Sequence, residues 1–227
     1  RSRIDFLVAS PGTEALRENT AMARRWLDPV ELRERVAQEA ARLVHEHGIQ
    51  DYGLAKRKAA QRLDVRGAGA LPSNSEIEAR VTEWQRIFEP EAHRNQLKDL
   101  RSLAVDVMGF LSPFEPRLAG SVLSGAITVN SSIELHLFTD APEEVVMKLD
   151  EQGIHYRDWQ RRYRYDSRGI SLVPGYRFAY RGERVDALVF PGKGVRQAPM
   201  SPVDRRPMPR ARRDRVLALL EDSGRLG

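Results

Sequence analysis
The sequence predicts an α+β protein: an N-terminal helical region over residues 1–95, then a mixed sheet with flanking helices over 96–227. Three observations carry this expectation. Apolar residues recur at three- and four-residue steps from about 24 to 111, the period of helices with one buried stripe. At Pro113 and Pro116 the texture changes, and residues 132–138 alternate between apolar and polar, as a strand does. Residues 161–190 are rich in Tyr, Val, Phe and Arg, which suits further strands.

Each element has its own signal. Residues 1–22 contain Ser10-Pro11-Gly12 and no sustained period, and read as a loosely ordered arm. Asp28-Pro29 opens a helix as N-cap and first helical residue. Its stripe is Leu32, Val36, Ala40, Leu43 and Val44, and it stops at Gly48. Asp51 opens a second helix through about Leu63, with Lys56, Arg57, Lys58 and Arg62 around a solvated circumference and Gly67-Ala68-Gly69 as its break. Pro72-Ser73-Asn74-Ser75 caps a third helix with Ile77, Val81, Trp84 and Phe88 on one face. A fourth is expected over 91–111, with Leu97, Leu100, Leu103, Ala104, Val107 and Leu111 inward. On the 132–138 strand, Ile133, Leu135 and Leu137 share one face, and Ser132, Glu134 and His136 the other. Pro142 begins a helix through about Gln152. Arg181-Gly182-Glu183 marks a hairpin turn, and Pro207-Met208-Pro209 precedes a last helix over about 210–222.

Composition narrows the function classes. The chain has 227 residues, 30% of them charged and 41% hydrophobic, an ordinary globular balance. No run of about 18 apolar residues exists, which excludes a membrane-spanning helix. Absence of cysteine excludes disulfides, thiolate zinc sites and thiol nucleophiles. With no leader pattern in the opening RSRIDF, it leads us to expect a cytoplasmic protein. The net charge is +5, and residues 191–227 alone hold nine basic and four acidic groups. The excess is therefore confined to a basic C-terminal tail, which suits phosphate contacts or a solvated surface. No Walker loop, no HExxH pattern and no Gly-x-Ser-x-Gly elbow occurs.

The most informative stretch runs from Leu118-Ala119-Gly120-Ser121 to Ser131-Ser132-Ile133-Glu134-Leu135-His136-Leu137-Phe138. It resembles the signature of the DNA polymerase beta-like nucleotidyltransferase superfamily, and is similar to bacterial nucleotidyltransferase-like proteins. That signature has an apolar residue, Gly, then Gly or Ser, a spacer of roughly ten residues, and a strand reading Asp-apolar-Asp/Glu-apolar. Gly125 and Ser131 sit in the spacer where small residues are usual. A third carboxylate belongs on a later strand, and Arg184-Val185-Asp186-Ala187-Leu188-Val189-Phe190 looks like that strand. The resemblance implies a nucleotidyltransferase fold and a nucleoside triphosphate substrate. It implies transfer of a nucleoside monophosphate to an unidentified RNA, DNA or protein acceptor, with Mg²⁺ held by Glu134 and Asp186. Gly120 and Ser121 would approach the phosphates, and Lys193 and Arg196 would lie near the triphosphate.

One position departs from that pattern. Ser132 stands where the first metal-binding Asp is expected. A serine hydroxyl ligates Mg²⁺ but supplies no charge to neutralise a metal pair. Three readings stay open: a pseudoenzyme that kept the fold, an engineered inactive form, or compensation by His136 or Asp140. The expected function is therefore a nucleotidyltransferase-like protein, impaired or not, with Ser132, Glu134 and Asp186 as its catalytic set. The alternative is an inactive nucleotide- or RNA-binding module of the same fold. A third reading is a helical interaction protein with the sheet as scaffold. Arg161, Arg162, Arg164 and Arg168, interleaved with Tyr163 and Tyr165, resemble a nucleic-acid surface strand, although alternation turns half of them to water.

Overall fold
A computed structural model describes residues 28–65, 71–88, 90–165 and 169–225. The arm at 1–22, Trp26, the Gly67–Gly69 break and Arg168 lie outside the described residues. Helix α1 spans Pro29–His47. The Val30 amide donates to Asp28 Oδ1 at 3.0 Å, and the helix ends where Gly48 takes φ +60°. Helix α2 spans Tyr52–Arg62 under an Asp51 cap. Helix α3, Asn74–Phe88, begins with a reciprocal capping box. The Glu76 amide donates to Ser73 Oγ at 3.1 Å, and the Ser73 amide to Glu76 Oε2 at 2.7 Å. These three helices enclose one core of Val36, Ala40, Leu43, Val44, Ala55, Ala59, Ile77 and Val81.

Helix α4, Pro90–Phe110, is continuous across the expected division at 95/96. Its residues from Leu97 onward pack on the sheet, not on α1–α3. After a short 3₁₀ turn come strand β1, Arg117–Ala119, the five-residue helix α5, Gly120–Ser124, and β2, Ile133–Phe138. Helix α6, Pro142–Glu151, leads to β3, Tyr156–Tyr165, β4, Gly169–Tyr180, and β5, Glu183–Phe190. The sheet order is β1-β2-β5-β4-β3, with β2 and β5 parallel and the other pairs antiparallel. The protein is thus α+β with a mixed sheet. The β4–β5 turn places Arg181 at φ +49° and Gly182 at φ +88°, the left-handed pair that a tight hairpin demands.

Two boundaries and one burial pattern differ from expectation. Strand β3 starts at Tyr156, well before residue 161, because it pairs with β4 along its whole length. The last helix, α7, spans Arg213–Arg225. Its start is delayed because Ala211 exchanges both backbone hydrogen bonds with Leu118 at 2.9 Å, holding the preceding chain extended. Strand β2 is interior and all six of its residues are buried. Ile133, Leu135 and Leu137 pack with Val185, Ala187 and Val189 under α4, α6 and α7. The opposite face carries Ala119, Phe138, Tyr163, Val173, Leu188, Phe190 and Met208. The polar residues of β2 are therefore buried as well.

Candidate functional site
Residues two apart on a strand share a face, and register decides which strands' faces meet. Glu134 on β2 is paired directly with Asp186 on parallel β5. Glu134, His136 and Asp186 consequently line one sheet face, and Ser132, just before β2, joins them through Asp186. The spacing predicted the shared face of Ser132, Glu134 and His136, and the resemblance added Asp186. Glu134 is 5% exposed, Asp186 4% and His136 0%. All three are interior groups in need of partners.

The partners come from the β3–β4 hairpin. Arg161 Nη1 forms an ion pair with Glu134 Oε2. The Tyr163 hydroxyl donates to Glu134 Oε1 at 2.6 Å, and His136 Nε2 lies 3.1 Å from the same oxygen. An ionised carboxylate only accepts, so His136 carries its proton on Nε2. Its Nδ1 is buried without a partner, which suits a neutral ring. Burial pushes the His136 pKa down, against the opposing pull of Glu134. Burial by itself would push the Glu134 carboxyl up. The hydrogen bond from His136, the Arg161 charge and the Tyr163 hydroxyl outweigh it and leave the pKa at about 2.

Asp186 has a separate clamp. Arg177, its register partner on β4, engages Oδ1 through Nε and Oδ2 through Nη2, the latter at 2.9 Å. The Ser132 hydroxyl donates to Oδ2 at 3.0 Å. The Arg177 guanidinium carbon sits 3.3 Å from the centre of the Trp159 ring, a cation–π contact. Trp159 lies opposite Gly175, where a Cβ would come 2.1 Å from the Ala187 carbonyl oxygen. That glycine permits the close approach of β4 to β5 which aligns Arg177 with Asp186.

The Gly-Ser turn is built beside Glu134. Gly120 takes φ +69°, and a Cβ there would lie 3.0 Å from Glu134 Oε2. Arg101 of α4 donates to the carbonyls of Val122 and Leu123, both at 3.1 Å, fixing the short helix after the turn. Gly125 closes that helix at φ +91°. Ser131 Oγ accepts from Ser121 Oγ at 3.0 Å and from the Thr128 amide at 2.8 Å. Both small spacer residues thus shape the turn.

A cleft of about 850 Å³ opens at this point. Gly120, Ser121, Ser132, Glu134, Arg161, Arg210 and Arg215 line its sheet side, while Asp51, Tyr52, Asn74 and Glu78 line its helical side. Burial raises the Glu78 pKa, with Ser124 opposing and Asp204 reinforcing. Lys193 and Arg196 are not brought here. They lie in a 3₁₀ turn beyond the far end of β5, four residues past the Asp186 level at Phe190. Lys193 lines a second cavity of about 620 Å³ with Asp140, Tyr165 and Leu172. A strand advances about 3.3 Å per residue, so nearness in sequence to Asp186 did not mean nearness in space. Arg162 and Arg164 are exposed on the face opposite Arg161.

Both carboxylates stand where the resemblance puts metal ligands, so their fit to Mg²⁺ is decided by the cations they already hold. Glu134 Oε1 accepts from Tyr163 and His136, Oε2 is paired with Arg161, and both Asp186 oxygens are paired with Arg177. Among the described residues, no three of His, Cys, Asp and Glu gather to hold a metal ion. Two carboxylates and two guanidiniums neutralise each other, and this donor set does not fit a metal pair. The residues that sequence reasoning missed are Arg177 and the pairing role of Arg161 and Tyr163. Their period-2 spacing was visible, but the register that carries them to β5 and β2 was not. Searches of protein-family models, of curated proteins and of solved structures found no match to this chain.

Proposed function
We propose that the chain is a nucleotide-binding module built on a nucleotidyltransferase-like fold, holding a nucleotide in the 850 Å³ cleft without group transfer. The observation that carries this reading is Arg161. Its Nη1 is pinned by buried Glu134 while the side chain stays 38% exposed beside Gly120 and Ser121. A guanidinium held in this way presents its other donors to an anion, the geometry suited to phosphate oxygens. Volume supports the reading, since small-molecule clefts run from about 300 to 1,000 Å³. Charge orients the ligand. Arg161 and Arg215 favour phosphates on the sheet side, and Asp51 and Glu78 favour ribose hydroxyls and base amino groups on the helical side.

Calorimetric titration with mono-, di- and triphosphates of the four ribonucleosides tests it. Binding should strengthen with phosphate number and weaken as salt rises. Absence of binding across the panel rejects the reading. Metal-dependent transfer to an RNA, DNA or protein acceptor is the second reading, favoured by the direct pairing of Glu134 with Asp186. Pyrophosphate released from any triphosphate in Mg²⁺ would select it over simple binding. Tight, salt-sensitive capture of RNA with no free nucleotide bound would instead point to the RNA-binding form of the module.

A further inference from the structure
The disagreement between the carboxylates and a metal pair has a positive content. We infer that Arg161 and Arg177 take the place of the two cations, so that this site excludes divalent metal and receives a polyphosphate directly on Arg161. The inference rests on the nucleotide-binding reading for the identity of the anion, and on the ion pairs alone for the exclusion of metal.

The two arginines do different work. Arg177 is spent on Asp186, engaging both oxygens, and is stacked on Trp159. It is 15% exposed and does not line the cleft. Its part is to cancel the Asp186 charge and hold Ser132 in hydrogen bond to the same carboxylate. A cation entering here must first displace a bidentate guanidinium from a 5% exposed side chain. Arg161 is engaged with Glu134 through one nitrogen, and it lines the cleft. Glu134 is fixed in turn by Tyr163 and His136, so the guanidinium is positioned before any ligand arrives. Ser132 fits this arrangement better than Asp would. An aspartate would set a second negative charge against Asp186 with one guanidinium to balance both.

The ligand class that follows is a di- or triphosphate free of metal, recognised by a guanidinium fork. Calorimetry with inorganic tripolyphosphate and with ATP, in EDTA and in Mg²⁺, tests the anion half. Binding in EDTA should be at least as tight as in Mg²⁺. Arg161→Gln should weaken it about tenfold or more, the scale of a lost charge-assisted contact. Arg161→Lys, which keeps a charge over Glu134, should recover part of it. Arg162→Gln, the same charge change on the opposite face, should leave it unaltered. Electron paramagnetic resonance of added Mn²⁺ tests the metal half without nucleotide. The protein should bind no Mn²⁺ that Asp186→Asn removes. Mn²⁺ bound by the natural chain and lost in Asp186→Asn overturns the inference, as does polyphosphate binding that requires Mg²⁺. Either result leaves nucleotide binding intact. Failure of ATP and tripolyphosphate to bind in both conditions overturns the nucleotide reading and the role of Arg161 together, whatever Mn²⁺ does.

Discussion
Glu134 has three donors on one carboxylate in the interior, so its charge is part of the fold. Glu134→Gln removes the charge under Arg161. It should cost about 2 kcal/mol by urea denaturation, less than a fully buried pair because Arg161 is 38% exposed. The pH dependence has a definite sign. The folded pKa of His136 is depressed, so below about pH 6.5 the unfolded chain takes up a proton that the folded chain refuses. Stability should fall as pH drops through that point. Glu134, depressed to about 2, adds a second loss between about pH 4.5 and 2. His136→Gln, which keeps a donor for Glu134, should flatten the decline between about pH 6.5 and 5 while leaving the acid arm. Unchanged slopes in urea midpoints measured across this range would remove the neutral-histidine assignment. Gly120→Ala meets both a left-handed backbone and Glu134 Oε2, and a loss of about 1–2 kcal/mol is expected from thermal melts.

Among the elements, the starts of α1, α2 and α3 were legible because capping is local. Asp28, Asp51 and Ser73 each bond an amide two or three residues ahead, which needs no tertiary partner. Ser73→Ala should cost about 1 kcal/mol, read by chemical denaturation. The Arg181-Gly182 turn was legible for the same reason. Strand limits were not. Strand β3 begins at Tyr156 because β4 is there to pair with it, and the chain before α7 stays extended because Leu118 binds Ala211. Gly175 illustrates the same dependence, since its lack of a side chain matters only against the Ala187 carbonyl of the next strand. Gly175→Ala should displace β4 from β5 and cost about 1–3 kcal/mol. Arg177 would then lose its alignment with Asp186, and Trp159 fluorescence should report the change in its surroundings.

At the scale of the whole molecule, the helical core of α1–α3 is separate from the two clusters that sandwich the sheet. Polar contacts join them across the cleft, including Asn74 Nδ2 to the Pro202 carbonyl at 2.8 Å and Asn130 Nδ2 to the Gly48 carbonyl at 3.0 Å. Leu43→Ala should cost about 3 kcal/mol within α1–α3 and speed hydrogen exchange there while β2 and β5 stay protected. Equal acceleration in both parts would show one cooperative unit. No helix among the described residues is long and apolar enough to cross a membrane. The sequence by itself determined the α+β class, the caps of α1–α3, the Gly120-Ser121 turn and the strand positions of Glu134 and Asp186, with Ser132 falling just before its strand. These follow from periods and capping chemistry that act within a few residues. Only the tertiary structure decided what surrounds the two carboxylates. Register between strands far apart in the chain puts Arg161 and Tyr163 on Glu134 and Arg177 on Asp186, and it carries Lys193 away. Burial then makes those charges depend on one another, because an interior carboxylate must be neutralised by whatever cation the fold supplies. Here the cations are arginines of the same sheet.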